Sequence, residues 1–318
     1  MRILVTGGLG FIGSSSVKNL IEQGHKVKVL DNLKRGKENR LSKYKKDFEF
    51  INGDIRDFEI VNKCLKNIDN IYHFAFINGT KFFYSIPFEI LEVGIKGIMN
   101  IIDASKKKNI NHLVLASSSE VYQRANIIPT PENVEFKVPD VNNPRFSYGG
   151  GKIISELVAV NAFPKYFNKL TIFRPHNVYG PNMGNDHVIP ELINKIKNLK
   201  NKKELAIQGT GNETRSFIYI DDFIRSLDLC VKYTKKKEIF NLGTSDEIKI
   251  IDLSKKILKI ANRSNIKIKK TSKLFGSTER RCPDIKKIEM LGFKPEISLD
   301  DGLKKMVDWY LNKNTNSL

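Results

Sequence analysis

The sequence predicts an α/β fold built on a doubly wound parallel sheet, and three observations carry that reading. Short β-branched runs alternate with longer, more polar stretches of helix length, the runs are apolar throughout, and a glycine-rich turn follows the first of them. Strands separated by helix-length segments pair in parallel through crossovers. Runs without an apolar/polar alternation belong to strands covered on both faces. With 318 residues and 40% hydrophobic side chains, the chain has the material for one large domain or two that share an interface.

Six runs are read as strands: residues 3–6, 27–30, 48–52, 70–73, 112–116 and 170–173. They place the sheet in residues 1–175. Beyond Arg174-Pro175 the pattern breaks into short pieces punctuated by Pro181, Pro190, Gly209, Gly211, Gly243 and Pro295, and an amphipathic helix around 303–311 closes the chain. Residues 176–318 are therefore expected to form a smaller mixed α/β lobe, with segments near 216–245 returning to the first domain.

The formal charge of +19 comes mostly from scattered lysines, as in Lys106-Lys107-Lys108 and Lys235-Lys236-Lys237. Such short runs read as solvated faces, so no nucleic-acid partner is expected, although the surplus suits a polyanionic ligand such as a nucleotide diphosphate. Cys64, Cys230 and Cys282 are odd in number and lack metal-ligand spacing, so neither a disulfide framework nor a metal site is expected. No run approaches the ~18 apolar residues of a membrane span, and the start at Met1 carries no cleavable signal pattern. A cytoplasmic protein without a membrane partner is the expectation.

Thr6-Gly-Gly-Leu-Gly-Phe-Ile-Gly13 follows a strand and opens a helix that runs to about residue 23. That is the context of a dinucleotide fingerprint, in which glycines let the backbone approach a pyrophosphate and the helix N-terminus supplies amide donors. The spacing is Gly-x-x-Gly-x-x-Gly. The second strand ends at Asp31, 18 residues after Gly13, where a carboxylate accepts from the adenosine ribose and repels a 2′-phosphate. NAD is favoured over NADP, with Lys34 and Arg35 as countervailing charges. Asp54, after the third strand, is placed to reach the adenine amino group or to cap a helix.

Tyr148 and Lys152 are four residues apart, hence one turn apart on a helix face. An ammonium beside a phenol favours the phenolate, which makes Tyr148 a candidate base. A strand carrying Ser117-Ser118-Ser119-Glu120 precedes them.

With this combination the chain resembles the extended short-chain dehydrogenase/reductase family, specifically its NAD-dependent nucleotide-sugar epimerases and dehydratases, and so a Rossmann-type fold. The resemblance spans nearly the whole chain. Its motifs are the glycine loop, Asp31, Asp54, His73-Phe-Ala75, Ser118, Tyr148, Lys152 and Arg174-Pro-His-Asn-Val-Tyr-Gly-Pro181. Arg215-Ser-Phe-Ile-Tyr-Ile-Asp-Asp222, Asn241-Leu-Gly243, Arg280-Arg-Cys-Pro-Asp284 and Leu291-Gly-Phe-Lys-Pro295 continue it.

The resemblance implies an isomerase acting through transient C4 oxidation of a nucleoside-diphosphate hexose. Tyr148 takes the C4 hydroxyl proton, Ser118 hydrogen-bonds the same oxygen, and Lys152 holds the nicotinamide ribose and lowers the phenol pKa. It further implies a cofactor site of Gly7, Gly10, Phe11, Ile12, Gly13, Asp31, Asn32, Asp54, Ile55, Phe74, Ala75 and Pro175 with Tyr148 and Lys152. Asn177, Arg215 and Arg281 would grip the diphosphate, a role suited to guanidinium donors, and a homodimer is expected. His176 has no assigned role and reads as a packed histidine.

Several positions depart from the family pattern. Glu120 resembles the dehydratases and decarboxylases, where it can remove the C5 proton once C4 is oxidised. Ser119 stands where the 4,6-dehydratases of deoxythymidine sugars carry an aspartic acid. Both residues join the catalytic candidates, and 4,6-dehydration, decarboxylation or net C4 dehydrogenation stands as the alternative to epimerisation. A redox sensor or nucleic-acid-binding module on the same fold is disfavoured because Ser118, Tyr148 and Lys152 are all retained. Gly149, Gly150 and Gly151 replace side chains inside a helix, at ~1 kcal/mol each against alanine. They are read either as room for a bulkier sugar or a close contact between subunits, or as a weak helix start after Pro144. Gly94 stands where the family usually has an asparagine.

Overall fold

A computed structural model describes residues 1–200, 203–272, 276 and 278–312. In chain order its first half runs β1 (Arg2–Thr6), α1 (Phe11–Glu22), β2 (Lys26–Asp31), β3 (Phe48–Asn52), α2 (Phe58–Cys64), β4 (Asn70–His73), α3 (Thr80–Ser85), α4 (Pro87–Ser105), β5 (His112–Ala116), α5 (Ser147–Ala162) and β6 (Lys169–Pro175). The second half runs β7 (Val178–Tyr179), α6 (Val188–Lys197), β8 (Glu204–Gln208), β9 (Thr214–Ser216), β10 (Ile218–Tyr219), α7 (Ile220–Tyr233), β11 (Lys237–Leu242), β12 (Glu247–Lys249), α8 (Ile250–Ile260), β13 (Lys267–Thr271), β14 (Arg280–Arg281), α9 (Lys286–Glu289) and α10 (Leu299–Val307).

Seven strands form one parallel sheet in the order β11-β6-β5-β4-β1-β2-β3. The six sequence-predicted strands are all present. The seventh, β11, arrives through α7 and pairs with β6 from Lys237↔Leu170 to Leu242↔Pro175. The order reverses between β1 and β4, so a crevice opens at the carboxyl ends of those strands, where ligands of such sheets bind.

Parity along the strands explains the two-sided burial. Ile3 and Val5 face one core with Val27, Val29, Val114 and Phe173 under α1 and α7. Leu4 faces the other with Leu30, Ile71, Leu113 and Leu170, under α4 and α5. The first core continues without a break into the C-terminal lobe through Phe223, Ile193, Ile257, Leu303 and Met306. That lobe holds three small sheets, β10-β7, β12-β9-β14 and β13-β8, which hang over the carboxyl edge of the large one. Among the described residues, no helix is long and apolar enough to cross a membrane, and no His/Cys/Asp/Glu group is placed to hold a metal. The three cysteines are buried and unpaired with one another.

Candidate active site

The phosphate loop sits at the switch point. Gly7 leaves β1 with φ +69°, and a Cβ there would lie 2.7 Å from the backbone nitrogen of Ala75. Gly13 has no room for a side chain either, since its Cβ would overlap the Gly7 carbonyl oxygen. Gly10 caps α1 without any side-chain bond, so the first amides of the helix, beginning at Phe11, Ile12 and Gly13, have no partner inside it. Backbone that approaches this closely, with open amides at a positive helix end, is a cradle shaped for a pyrophosphate.

At the far end Asp31 is buried. Its carboxylate accepts from the Leu9 and Leu33 amides at 2.9 Å each, leaving lone pairs for a ribose diol. Burial raises its pKa against those bonds. Asn32 donates to Asp54 at 2.9 Å. Asp54 is gripped by Arg56 at 2.8 Å, and that hydrogen bond more than offsets burial, holding the carboxyl at about 2. Asp54 caps no helix, because the cap of α2 is Asp57, which accepts from the Glu59 and Ile60 amides. Ile55 is buried under Gly97 of α4. The competing cations are both engaged, Lys34 with Glu89 and Arg35 with Asp186 at 3.1 Å. Phe74 and Ala75 line the other wall: Phe74 packs edge-on against Tyr72 and Phe173, and the Ala75 amide reaches Thr6 Oγ1 at 3.3 Å. Pro175 ends β6, paired with Leu242.

The reaction centre lies where β5 meets α5. Ser118 caps the short helical turn Ser119–Tyr122 by accepting from the Glu120 amide at 3.1 Å, and Ser119 is buried in that turn. Tyr148 is 4% exposed, stacked on Phe83 with centroids 5.0 Å apart and edge-on to Phe76 at 5.1 Å. Lys152 Nζ donates to the Ala116 carbonyl at 2.6 Å and lies 4.0 Å from the Phe76 ring centroid.

The expectation that Lys152 makes the phenol acidic needs correction. Burial pushes the Tyr148 phenol above its ordinary value, a hydrogen bond with Ser118 pulls it back, and the charges acting on it are Glu120 and Arg281. Lys152 gives one donor to Ala116, sits 5.9 Å from the phenol ring centroid, and is itself brought down to about 7 by burial against the pull of Glu156. In the protein alone, desolvation is the largest influence on both groups, against Ser118 and Arg281 at the phenol and Glu156 at the ammonium.

Glu120 is the second surprise. Both its oxygens accept from Arg145 at 3.0 Å, and Oε1 also accepts from Arg281 at 2.8 Å. Burial alone would push this carboxyl up, but Arg281 and then Arg145 more than offset it and hold it at about 2. Of the residues expected to grip a diphosphate, Arg281 therefore faces Glu120. Arg215 donates to the carbonyls of Thr214, Thr278 and Glu279, and burial lowers its pKa to about 10. Asn177, at φ +42°, donates to the Ser216 carbonyl at 2.8 Å. His176 is buried beside Asn241, and burial brings its ring to about 3, hence neutral.

Sequence reasoning missed Arg145, Phe76, Phe83 and Glu156. Arg145 lies in the short turn Pro144–Phe146 just before the helix of Tyr148, and no spacing rule marks it in the sequence. Glu156, one turn beyond Lys152, pairs with the buried Arg174 at 2.6 Å and accepts from Ser117. The two phenylalanines carried no signal of their own.

The glycine run falls at the helix start, as one of the two readings has it, and two of its three members also face close neighbours. The helix begins at Ser147, so these residues occupy its first turn and the start of its second. A Cβ on Gly149 would overlap Gln123 Nε2 and lie 2.7 Å from the Glu120 carbonyl oxygen. One on Gly151 would lie 3.1 Å from Phe76 Cζ. Gly150 faces open space, with Val138 the nearest group at 3.8 Å.

A glycine cradle at a sheet switch point, a buried carboxylate at the end of β2 and a buried Ser-Tyr-Lys set are features of a dinucleotide-dependent enzyme. Residues 3–243 match the model of the NAD dependent epimerase/dehydratase family, and the chain belongs to that family. It is 35% identical to a putative UDP-glucose 4-epimerase of Methanocaldococcus jannaschii over 98% of this chain and 99% of the relative. It is 28% identical to a UDP-N-acetyl-alpha-D-glucosaminuronate decarboxylase of Bacillus cytotoxicus over 97% of each. Among solved structures it superposes on a dTDP-glucose 4,6-dehydratase of Streptomyces venezuelae bound to NAD with a TM-score of 0.88 at 27% identity, covering 98% of this chain and 97% of that one. The protein is thus an NAD-dependent nucleotide-sugar epimerase, dehydratase or decarboxylase by family.

Proposed function

We propose that the chain is an epimerase that oxidises C4 of a nucleoside-diphosphate hexose transiently and returns it inverted. The observation that carries this is the state of Glu120. A carboxylate locked between two guanidiniums, with its pKa held at about 2, is a poor base for a C5 proton, and Ser119 supplies no acid to expel a C6 hydroxyl. With C5 deprotonation and C6 water loss both disfavoured, C4 chemistry fits the site best. Bound NAD, cradled by the Gly7–Gly13 loop and Asp31, supplies the two-electron acceptor. Tyr148 then receives the C4 hydroxyl proton, Ser118 orients that oxygen, and Lys152 holds the cofactor ribose. Arg215, Arg281 and Asn177 would take the diphosphate.

A decarboxylase is the second reading, favoured by one specific feature. Among the described residues, Arg145 Nη1 and Arg281 Nε are buried without a partner, and the charge of Arg215 also acts at Glu120. A substrate carrying an acid at C6 would use that surplus of guanidinium over carboxylate. Incubation with UDP-, dTDP-, GDP- and CDP-hexoses and hexuronates, read by mass and by ring-proton exchange, decides between them. C4 inversion with unchanged mass supports the proposal, whereas loss of carbon dioxide or water refutes it.

The outward faces of α4 and α5 expose Phe88, Met99, Ile154 and Leu157. We assign this face to a second copy of the chain, and its apolar, adjacent helices support a homodimer.

A further inference from the structure

We propose that Phe76 is a positioning residue, an aromatic floor that fixes the Lys152 ammonium in the reaction site by standing in the gap left by Gly94 and Gly151. The proposal rests on the reading of Lys152 as the group that holds the cofactor ribose.

The gap is made by two elements at once. A Cβ on Gly94, in the middle of α4, would overlap Phe76 Cζ and Cε2, and one on Gly151, in the second turn of α5, would crowd Cζ at 3.1 Å. The ring threads between these helices from the loop after β4 and presents its face to Lys152 Nζ at 4.0 Å and its flank to Tyr148 at 5.1 Å. A helix interior accepts glycine at a cost of ~1 kcal/mol, and two such positions converge on one ring.

The ammonium needs that ring. Lys152 is 3% exposed, and an ammonium taken from water must be paired or hydrogen-bonded. It has three donors, of which one is spent on the Ala116 carbonyl. The carboxylate that acts on it, Glu156, is already committed to Arg174 and Ser117. Among the described residues, the π face of Phe76 at 4.0 Å lies nearest the charge, with the Tyr148 ring further off at 5.9 Å, and it favours the charged form. Burial has brought this lysine to about 7, so a small loss of attraction changes the fraction charged at neutrality.

Filling space and holding charge make different predictions when the ring keeps its shape and loses its electron density. Full-length protein carrying 3,5-difluorophenylalanine at position 76 is compared with wild type by titration with NAD and with ADP, which lacks the nicotinamide ribose. The Lys152 ε-carbon is followed by pH titration in ¹³C-lysine-labelled protein, assigned by its loss in Lys152→Arg. NAD binding is expected to weaken about three- to tenfold with ADP binding unchanged, and the lysine midpoint to move to lower pH. An unmoved lysine midpoint overturns the proposal, as does equal weakening of both nucleotides. Phe76→Leu, which also removes the shape, is expected to lose more, and Phe76→Leu with Gly94→Asn to recover part of the NAD-to-ADP ratio. If Lys152→Met leaves that ratio untouched, the reading of Lys152 as the ribose contact fails, while the lysine titration still judges Phe76.

Discussion

Replacing Lys152 by methionine should abolish turnover and yet stabilise the fold at neutral and acidic pH. The fall of the ammonium from 10.5 to about 7, at about 1.4 kcal/mol per pH unit, corresponds to a burial penalty on the order of 4–5 kcal/mol. Methionine removes that penalty and keeps most of the volume. It also removes the bond to the Ala116 carbonyl, worth about 1–3 kcal/mol, and the contact with Phe76, about 0.5–2 kcal/mol. Together those losses come to about 1.5–5 kcal/mol, so below pH 7 the relief exceeds them except where both reach their upper bounds. The sign with pH follows from proton binding: between about 7 and 10.4 the unfolded lysine holds a proton that the folded one has released, so wild-type stability gains from this group as pH rises. The penalty is complete below pH 7 and absent above about 10.4. Urea unfolding of cofactor-free protein at pH 6.5 and 9.5 measures this directly. The advantage of the variant should shrink by about 3 kcal/mol between the two. A difference that stays constant with pH would refute a buried, depressed lysine.

Gly149→Ala should destabilise by about 1–3 kcal/mol and lower turnover, because its methyl group meets Gln123 and the Glu120 carbonyl. Gly150→Ala should instead gain about 0.5–1 kcal/mol with activity intact, and thermal unfolding of the pair separates them. Glu156→Gln keeps the shape but leaves the Arg174 guanidinium uncompensated in the core, and should lower the urea midpoint by the equivalent of about 3–5 kcal/mol. Leu157→Asp, on the exposed face of α5, should yield monomers by light scattering, and an unchanged mass would discard the proposed dimer face.

The sheet was legible because covered parallel strands are apolar along most of their length, as β1 and β6 are, whereas the edge strand β3, with exposed Glu49, carried a weaker signal. β11 was harder to place, since it pairs with a strand more than sixty residues earlier and only topology brings it there. The phosphate loop was legible because its requirement is steric and falls on glycine, which a sequence displays. The charge state of the centre was not. Four-residue spacing puts Tyr148 and Lys152 on one face, but it says nothing of Phe83 and Phe76, which exclude water from both. Nor does spacing reveal that Arg145 and Arg281, 136 positions apart, close on the same carboxylate. Long-range electrostatics is a property of the folded arrangement, and the missed residues are those whose role exists only there.

Burial acts on the two reaction-centre groups in opposite directions, and that opposition has a consequence. It raises the phenol of Tyr148 and lowers the ammonium of Lys152, so the pair is biased toward neutral tyrosine and neutral lysine when nothing else is present. Proton abstraction needs the reverse, and what restores it must bring positive charge or donors to the phenol side. Arg281 already acts in that direction on Tyr148, but Glu120 acts against it. A ligand that drew Arg281 away from Glu120 would leave the carboxylate to Arg145 and change the balance at the phenol. Replacing Glu120 by glutamine removes the opposing charge altogether. In cofactor-free protein the ultraviolet-detected ionisation of the buried tyrosine should then move to lower pH, and an unmoved or raised midpoint would show that Glu120 does not reach the reaction centre.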